Sequence, residues 1–474
     1  MNKNVLLLLI GITIVLDSCT LIPRYTRPEA PIPAGWPSGP AYKENAAVSK
    51  GKLPEDITWQ DFFIDEHLKE VINLALNNNR DLRVAALNIE KARALYRIQR
   101  AELFPTVDAV GNGSKERVPA DSLGMPGMSG TNRITVEQYS VNLGISSWEI
   151  DFFGRIRSLS KKALEEYLAT EQARRNAQIS LVAEVAGAYL ALASDRESLR
   201  LTESTLDAQQ ASYDLIQRRY EVGLVSALDL RQAQTRVDAA KVDKALYIRL
   251  AAQDENALNL LVGSTVPKEL WPEDLEAVQP TRDFSPGISS EVLLKRPDIL
   301  QAEDLLKAAN ANIGAARAAL FPRISLTATA GTASGDLSGL FKAGSGAWSY
   351  APQLVMPIFD SRLWWAVKAV KVDRDILLTQ YEKVIQTAFR EVADALAVNG
   401  TVDEQLSAQQ SLVNASSETY RLANARYLKG IDNYLSVLDA QRSLYVAQLR
   451  LVNIRLTRLS NQVKLYAVLG GGSE

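Results

Sequence analysis

The feature that most constrains this 474-residue chain is an internal repeat. Leu-Phe-Pro at 103–105 recurs at 320–322, an offset of 217 residues, and Arg-Tyr-x-x-Gly at 219–223 recurs at 426–430, an offset of 207. The difference of ten residues falls between the two motifs, where the first copy has a longer loop rich in Gly, Ser and Met, at 114–133. Self-similarity over so long a period indicates duplication of one structural unit, with insertions confined to loops.

Both copies predict the same order of elements: a first helix that ends at Phe-Pro, two strands, a long helix without proline, a glycine turn and a returning helix. The predicted helices span 61–103, 155–220 and 226–262 in the first copy and 290–320, 362–428 and 433–469 in the second. A helix of about 66 residues is roughly 100 Å long. In the last helix, a seam of positions recurs three and four apart from Leu435 to Tyr466, all of them apolar except Arg442, which is typical of coiled-coil packing.

The amino terminus is similar to a bacterial lipoprotein signal. Residues 1–18 have a basic start and an apolar run that is too short to span a bilayer. The single cysteine, Cys19, follows where such a signal ends, and we expect it to carry a covalent lipid. Thr20 follows it, rather than the Asp typical of retention in the inner membrane, which indicates the outer membrane. A plain signal peptide with an incidental cysteine is the alternative.

The remaining boundaries follow from the composition of the segments. We expect a lipidated, proline-rich tether over 19–58, a first repeat over 59–263, an equatorial linker over 264–289 and a second repeat over 290–474.

The predicted strands alternate apolar residues with small or polar ones. The apolar positions include Tyr139, Val141, Leu143, Ile145, Ile324, Leu326, Ala328, Ala330, Trp348, Tyr350 and Leu354. This alternation fits a transmembrane barrel with a wet lumen, although a soluble sandwich shows it too. Four strands leave two open edges, which lipid does not tolerate. A membrane barrel would therefore have to be shared between copies, with eight strands in a dimer or twelve in a trimer.

The composition excludes several classes of function. Lys+Arg number 53 and Asp+Glu 55, so the chain lacks the basic footprint of nucleic-acid binding. One Cys and one His exclude a disulfide framework and a multi-Cys or multi-His metal site. Asp61, Glu66 and His67 lie near a helix start, where acidic residues favour the helix dipole. We therefore expect neither an enzyme nor a metal or other cofactor besides the lipid on Cys19.

These residues together resemble the TolC family, and within it the OprM-like (NodT-type) outer-membrane efflux lipoproteins. The resemblance rests on the lipoprotein-type start, the two Leu-Phe-Pro helix ends, the two Arg-Tyr-x-x-Gly turns and the closing Gly470-Gly471-Gly472. It implies an α+β membrane protein: a homotrimer with a twelve-stranded β-barrel, four strands per chain, continuous with a twelve-helix periplasmic α-barrel. It also implies passive multidrug efflux, with a periplasmic adaptor protein and an inner-membrane pump of the resistance-nodulation-division type as partners.

The resemblance places a gate at the periplasmic turns, at Gly223 and Gly430. Leu435 and Asp439 match the family's constriction and lie one helical turn apart, on one face. Threefold symmetry would turn them into an apolar ring and a carboxylate ring, which can block passage and favour cations. The alternative is that Leu435 is a packing residue and Asp439 a solvated one.

The resemblance also implies hydrogen bonds between neighbouring hairpins that hold the gate closed. The matching positions are Asp229 and Tyr427, and Arg426 is a further candidate that could pair with a carboxylate.

Other functions remain open at this stage. The same architecture could serve type I protein secretion or metal-ion export, although four Met and one His argue against a copper-handling path. A periplasmic coiled-coil scaffold without a channel is a further alternative, but a scaffold has no need of alternating strands.

Overall fold

The computed structural model describes residues 20–42, 57–119, 133–278 and 289–471. The expected signal peptide and Cys19 lie outside the described residues, as do parts of the tether and the linker. The helices are α1 (Trp59–Phe62), α2 (Glu66–Asn78), α3 (Arg80–Ala101), α4 (Arg155–Glu221), α5 (Ala227–Val262), α6 (Pro297–Ala318), α7 (Ser361–Leu428) and α8 (Tyr434–Val468). The strands are β1 (Val107–Pro119), β2 (Arg133–Ile150), β3 (Arg323–Ser334) and β4 (Gly346–Val355).

The chain forms two compact units. The sheet unit comprises the described residues within 1–28, 90–169 and 303–380, and the hairpin unit those within 29–89, 170–302 and 381–474. Each unit therefore combines parts of both sequence repeats.

The first helix of each copy is interrupted, so the prediction of one continuous helix over 61–103 and over 290–320 was wrong. Asn79 is extended between α2 and α3: its N–H donates to Ala75 O, and its side chain accepts from the N–H of Leu82 at 2.8 Å. It thus ends one helix and caps the next. In the second copy Arg296 precedes Pro297, and a residue before proline is disfavoured in helical conformation.

The long helices and their turns are confirmed. Helices α4 and α7 have 67 and 68 residues, and the returning helices α5 and α8 have 36 and 35. Gly223 and Gly430 adopt φ of 75° and 73°, left-handed values that glycine reaches without a steric cost. Leu224 N donates to Arg219 O and Ile431 N to Arg426 O, so both copies close the helix with the same glycine motif.

One helix passes a test for membrane spans. Within the described chain, α4 contains an 18-residue segment that is long and apolar enough to cross a membrane, and 56% of that segment is buried in the structure. A buried core helix can have the same length and apolar composition.

The four strands form one antiparallel sheet in the order β1-β2-β3-β4. Ser147, with φ of 53°, lies in a bulge between Ile145 and Trp148, which shifts the alternation of β2 by one residue. Because of this shift, one face stays apolar along its length, with Leu143, Ile145, Trp148, Leu326, Trp348, Tyr350 and Leu354. The opposite face carries Ser140, Asn142, Thr327, Thr329, Ser349 and Gln353.

The two edges of the sheet are open in the described chain. β1 pairs only with β2, and β4 pairs only with β3. The apolar face is also exposed: Trp348 is 76% and Tyr350 66% accessible. A single copy therefore covers neither its strand edges nor its apolar face.

The described start of the chain follows α6 within the sheet unit. The Asn310 side chain donates to Pro23 O at 2.7 Å, and Arg317 donates to Leu21 O at 3.3 Å. A Cβ on Gly314 would lie 2.5 Å from Ile22 Cγ1, so a glycine is needed for this close approach. These contacts place residues 21–23 along the surface of α6.

The hairpin unit has an aromatic and aliphatic core. Phe62 stacks on Tyr466 with ring centroids 4.0 Å apart, and the Tyr466 hydroxyl donates to Ile57 O at 2.6 Å. The described part of the linker is bound to this unit by charged side chains. Arg196 donates to Pro272 O at 3.0 Å, and Arg455 pairs with Glu276 at 2.7 Å.

Candidate channel gate at the hairpin turns

A small apolar cluster joins the two helical hairpins, α4 with α5 and α7 with α8, next to their glycine turns. It consists of Ile216, Ala233, Tyr434, Val437 and Leu438, all of them buried. Burial raises the pKa of Tyr434 to about 12, so its hydroxyl stays protonated at neutral pH. The cluster fixes the rotation of α8 about its own axis, and with it the direction of every other residue in its first turns.

Leu435 and Asp439 lie on the opposite side of α8 from this cluster. Leu438 is 2% accessible and Leu435 47%, and the Asp439 side chain is 56% accessible. The predicted coiled-coil seam therefore holds at Leu438 but not at Leu435, which is turned away from the core of its own chain. The two predicted constriction residues share one exposed face, and they are available to line a lumen or to meet another copy.

Tyr427 is held by a residue that the sequence analysis missed. Arg219 Nη1 donates to the Tyr427 hydroxyl at 2.9 Å, and the guanidinium lies 5.5 Å from the centre of the ring. On its other side the Tyr427 ring is 5.2 Å from that of Tyr434. The repeat itself carried a signal for this contact, because Arg219 belongs to the Arg-Tyr-x-x-Gly motif of the first hairpin and Tyr427 to that of the second.

Asp229 has a local role in the structure. Its carboxylate accepts from Ser226 N at 3.0 Å and from Ser226 Oγ at 2.7 Å, and its own N–H donates to Ser226 Oγ at 3.2 Å. This reciprocal pair is a capping box at the start of α5. The predicted contact of Asp229 with a neighbouring hairpin stays a prediction.

Arg426 pairs with Asp432 across its own turn. Arg426 Nε and Nη2 donate to the two carboxylate oxygens at 2.6 and 3.0 Å. This bidentate contact lowers the pKa of Asp432 below its usual value and raises that of Arg426. Arg426 thus has a carboxylate partner, as the sequence suggested, but the partner belongs to the same hairpin.

The turns expose apolar side chains. Val222 is 69%, Leu224 70% and Ile431 58% accessible, and each lies beside one of the two glycine turns. Apolar residues grouped at an exposed tip are typical of a docking surface.

In the part of the chain that the structure describes, no group of three or more His, Cys, Asp or Glu side chains could hold a metal ion.

Known proteins resemble this chain over nearly its whole length. The sequence profile of the family described as outer membrane efflux protein matches residues 71–264 and 288–471, one match in each half. The toluene efflux pump outer membrane protein TtgC and the antibiotic efflux pump outer membrane protein ArpC, both of Pseudomonas putida, are each 49% identical over 474 residues. Each alignment covers 100% of this chain and 96% of the relative.

A solved structure supports the same conclusion. The open state of the Neisseria gonorrhoeae MtrE outer membrane channel is similar with a TM-score of 0.85 and 36% identity, covering 96% of this chain and 99% of that one. The fold and the paired hairpins therefore define an outer-membrane channel of the TolC type. More particularly, the chain belongs to the outer membrane efflux protein family, and its place is the bacterial outer membrane. The expected resemblance and fold class are confirmed.

Proposed function

We propose that three copies of this chain form a passive duct through the outer membrane, the exit of a tripartite efflux pump. The observation that carries the proposal is the sheet, apolar on one face, polar on the other, and open at β1 and β4 within the described chain. Lipid tolerates no open strand edge. Pairing β1 of one copy with β4 of the next would close three sheets into a barrel of twelve strands.

The duct performs no chemistry of its own. The family is one of efflux channels, and the sequence contains a single histidine, His67, so a histidine-activated nucleophile would have to rely on that residue. We expect no cofactor beyond the covalent lipid on Cys19, which would anchor the amino terminus in the outer membrane.

The names of the relatives indicate the cargo and the partners. They are outer membrane proteins of toluene and antibiotic efflux pumps, so we expect apolar organic compounds to pass. A periplasmic adaptor protein would dock on the apolar tips at Val222, Leu224 and Ile431, and would connect the duct to an inner-membrane pump of the resistance-nodulation-division type.

The gate would lie where the two turns meet. Leu435 and Asp439 would face the threefold axis and form an apolar ring and a carboxylate ring. The closed state would be stabilised by the hydrogen bond from Arg219 to Tyr427 and by the ion pair of Arg426 with Asp432. Asp229 would stabilise the start of α5 through its capping box and would face the neighbouring protomer.

Deletion of the gene tests the function. We expect susceptibility to toluene and to several antibiotics to rise several-fold, and a plasmid copy to restore resistance. In a strain that already lacks the partner pump, the same deletion should add nothing for the compounds that this pump exports, because they no longer reach the duct. Unchanged susceptibility to every compound in the first strain would contradict the proposal.

A further inference from the structure

Helix α8 carries a straight exposed stripe that begins at the proposed constriction. Its members are three or four residues apart and share one face. They are Leu435, Asp439, Arg442, Val446, Arg450, Asn453 and Thr457, all exposed. Since Leu435 and Asp439 open the stripe, the rest of it lines whatever space those two residues face.

The Asp439 carboxylate in this stripe has a positively charged neighbour. Arg442 Nη2 lies 3.6 Å from Asp439 Oδ1, one turn further along α8. Each copy therefore brings a positive and a negative group to the same level, and an anion near this level meets less repulsion than three isolated carboxylates would cause.

Arg450, two turns beyond Arg442, is different. Among the described residues it has no ion-pair partner, and it is one of the residues that line a cleft of about 310 Å3 between α7 and α8. The cleft is also lined by Arg442, Leu412, Ser416 and Val446. It lies at the lower end of the range of small-molecule sites, roughly 300–1,000 Å3.

The cleft combines charge with apolar surface. Leu412 on α7 is 50% and Val446 on α8 56% accessible, and Val446 lies between the two arginines along the helix. Below them the Gln409 side chain donates to Ala447 O at 2.8 Å, which fixes the spacing of α7 and α8. The Cα atoms of the two arginines lie about 12 Å apart along α8, and the apolar side chains between them, with the two positive charges, suit a molecule with an anionic group and an apolar body.

We propose that this cleft is a binding site for organic anions, carboxylates or sulfonates with an apolar body, on their way through the duct. The anionic group accepts hydrogen bonds from Arg450 or Arg442, and the body packs on Leu412 and Val446. The position in the lumen rests on the proposed function, whereas the cleft itself is formed by a single chain. A site just beyond the constriction gives anions a resting place where an acidic ring alone would turn them away.

Equilibrium dialysis of the purified full-length protein in an uncharged maltoside detergent tests the site, with naphthalene-2-sulfonate as the probe. Arg450→Gln should weaken binding about tenfold, the usual effect of losing a hydrogen bond to a charged group. Arg450→Lys keeps the charge but not the bidentate geometry, so its affinity for the probe should lie between those of the wild type and Arg450→Gln.

The matched control is Lys464→Gln, which removes one positive charge from an exposed position of the same helix, outside the cleft. It should bind the probe as the wild type does, and the cationic analogue naphthylmethylammonium should not bind to the cleft at all. Equal affinity in wild type and Arg450→Gln, or an equal loss in Lys464→Gln, would overturn the proposal.

The inference and the duct can fail separately. A protein that conducts in planar bilayers but shows no Arg450-dependent binding overturns the anion site alone. A protein that binds the probe with the expected pattern but forms no pore supports the site and overturns the duct.

Discussion

Tyr427 illustrates how single residues set the state of the hairpins. Its hydroxyl accepts from Arg219 on the other hairpin, while its ring packs beside Tyr434. Leu435 and Asp439 are then turned outward by the burial of Leu438 next to them. The chemistry at the turns thus consists of a few contacts between the two hairpins and a row of side chains that is left exposed.

Tyr427→Phe should loosen the closed state. The change removes the acceptor of the Arg219 hydrogen bond but keeps the ring, and a hydrogen bond from a charged donor contributes about 1.5–3 kcal/mol. We expect open probability in planar bilayers to rise about tenfold or more. Tyr220→Phe is the control, since Tyr220 is the equivalent residue of the first copy and is 43% accessible. Equal conductance in Tyr427→Phe and wild type would show that this contact is not part of the lock.

A pair of carboxyl groups links α4 and α5. Burial, together with the nearby charge of Asp254, raises the pKa of Asp195 to about 6. An acid whose pKa is raised by folding stabilises the fold most below its unfolded pKa, and this contribution is lost as pH rises through about 6.

Asp195→Asn should therefore stabilise the protein at neutral pH. The new amide group can donate a hydrogen bond to Asp254, and because the amide is uncharged it does not repel the Asp254 carboxylate. The gain should be about 1–2 kcal/mol near pH 7.5 and should disappear near pH 4, where the wild type is protonated. Thermal unfolding at both pH values measures it. The same gain at both pH values, or a loss at neutral pH, would contradict the raised pKa of Asp195.

At the scale of elements, the order of helices and strands can be predicted from the sequence. Proline stops, glycine turns and the two periodicities of 3.6 and 2 residues carry that information. The break at Asn79 could not be located in this way, because its cause is partly tertiary: its side chain also donates to Leu261 O at 2.8 Å. The contact of Arg219 with Tyr427 was missed for the same reason, since it depends on how the two hairpins pack.

Asn79→Ala should destabilise the junction of α2 and α3. Asn79 is 7% accessible, and the change removes both the cap of Leu82 N and the partner of Leu261 O. The loss should be about 1–3 kcal/mol, measured as a lower temperature of unfolding. Asn77→Ala is the matched control: the Asn77 side chain is exposed and bonds only to Asn73 O of its own helix, so the variant should unfold close to the wild-type temperature.

At the scale of the whole molecule, the duplication explains why one chain is incomplete. The first copy supplies β1 and β2 and the second supplies β3 and β4, and the two halves join where β2 pairs with β3. Two open edges remain, β1 from the first repeat and β4 from the second, and both strands are exposed along almost their full length. An account of this protein as a membrane duct therefore depends on how β1 and β4 are covered.

Disulfide cross-linking of the two edges tests this account most directly. Asn112→Cys on β1 is combined in turn with Cys at Ala347, Ser349, Ala351 or Gln353 on β4, all on the polar face; Cys19 is the only native cysteine. The edges of one sheet lie about 14 Å apart, too far for a disulfide within a chain. The trimeric barrel predicts that, on a denaturing gel, at least one pair yields covalent dimers and trimers after oxidation in membranes, while the variants with only one added cysteine run as monomers on the same gel. Monomers at all four pairs, with the wild type extracted as a single chain, would contradict it.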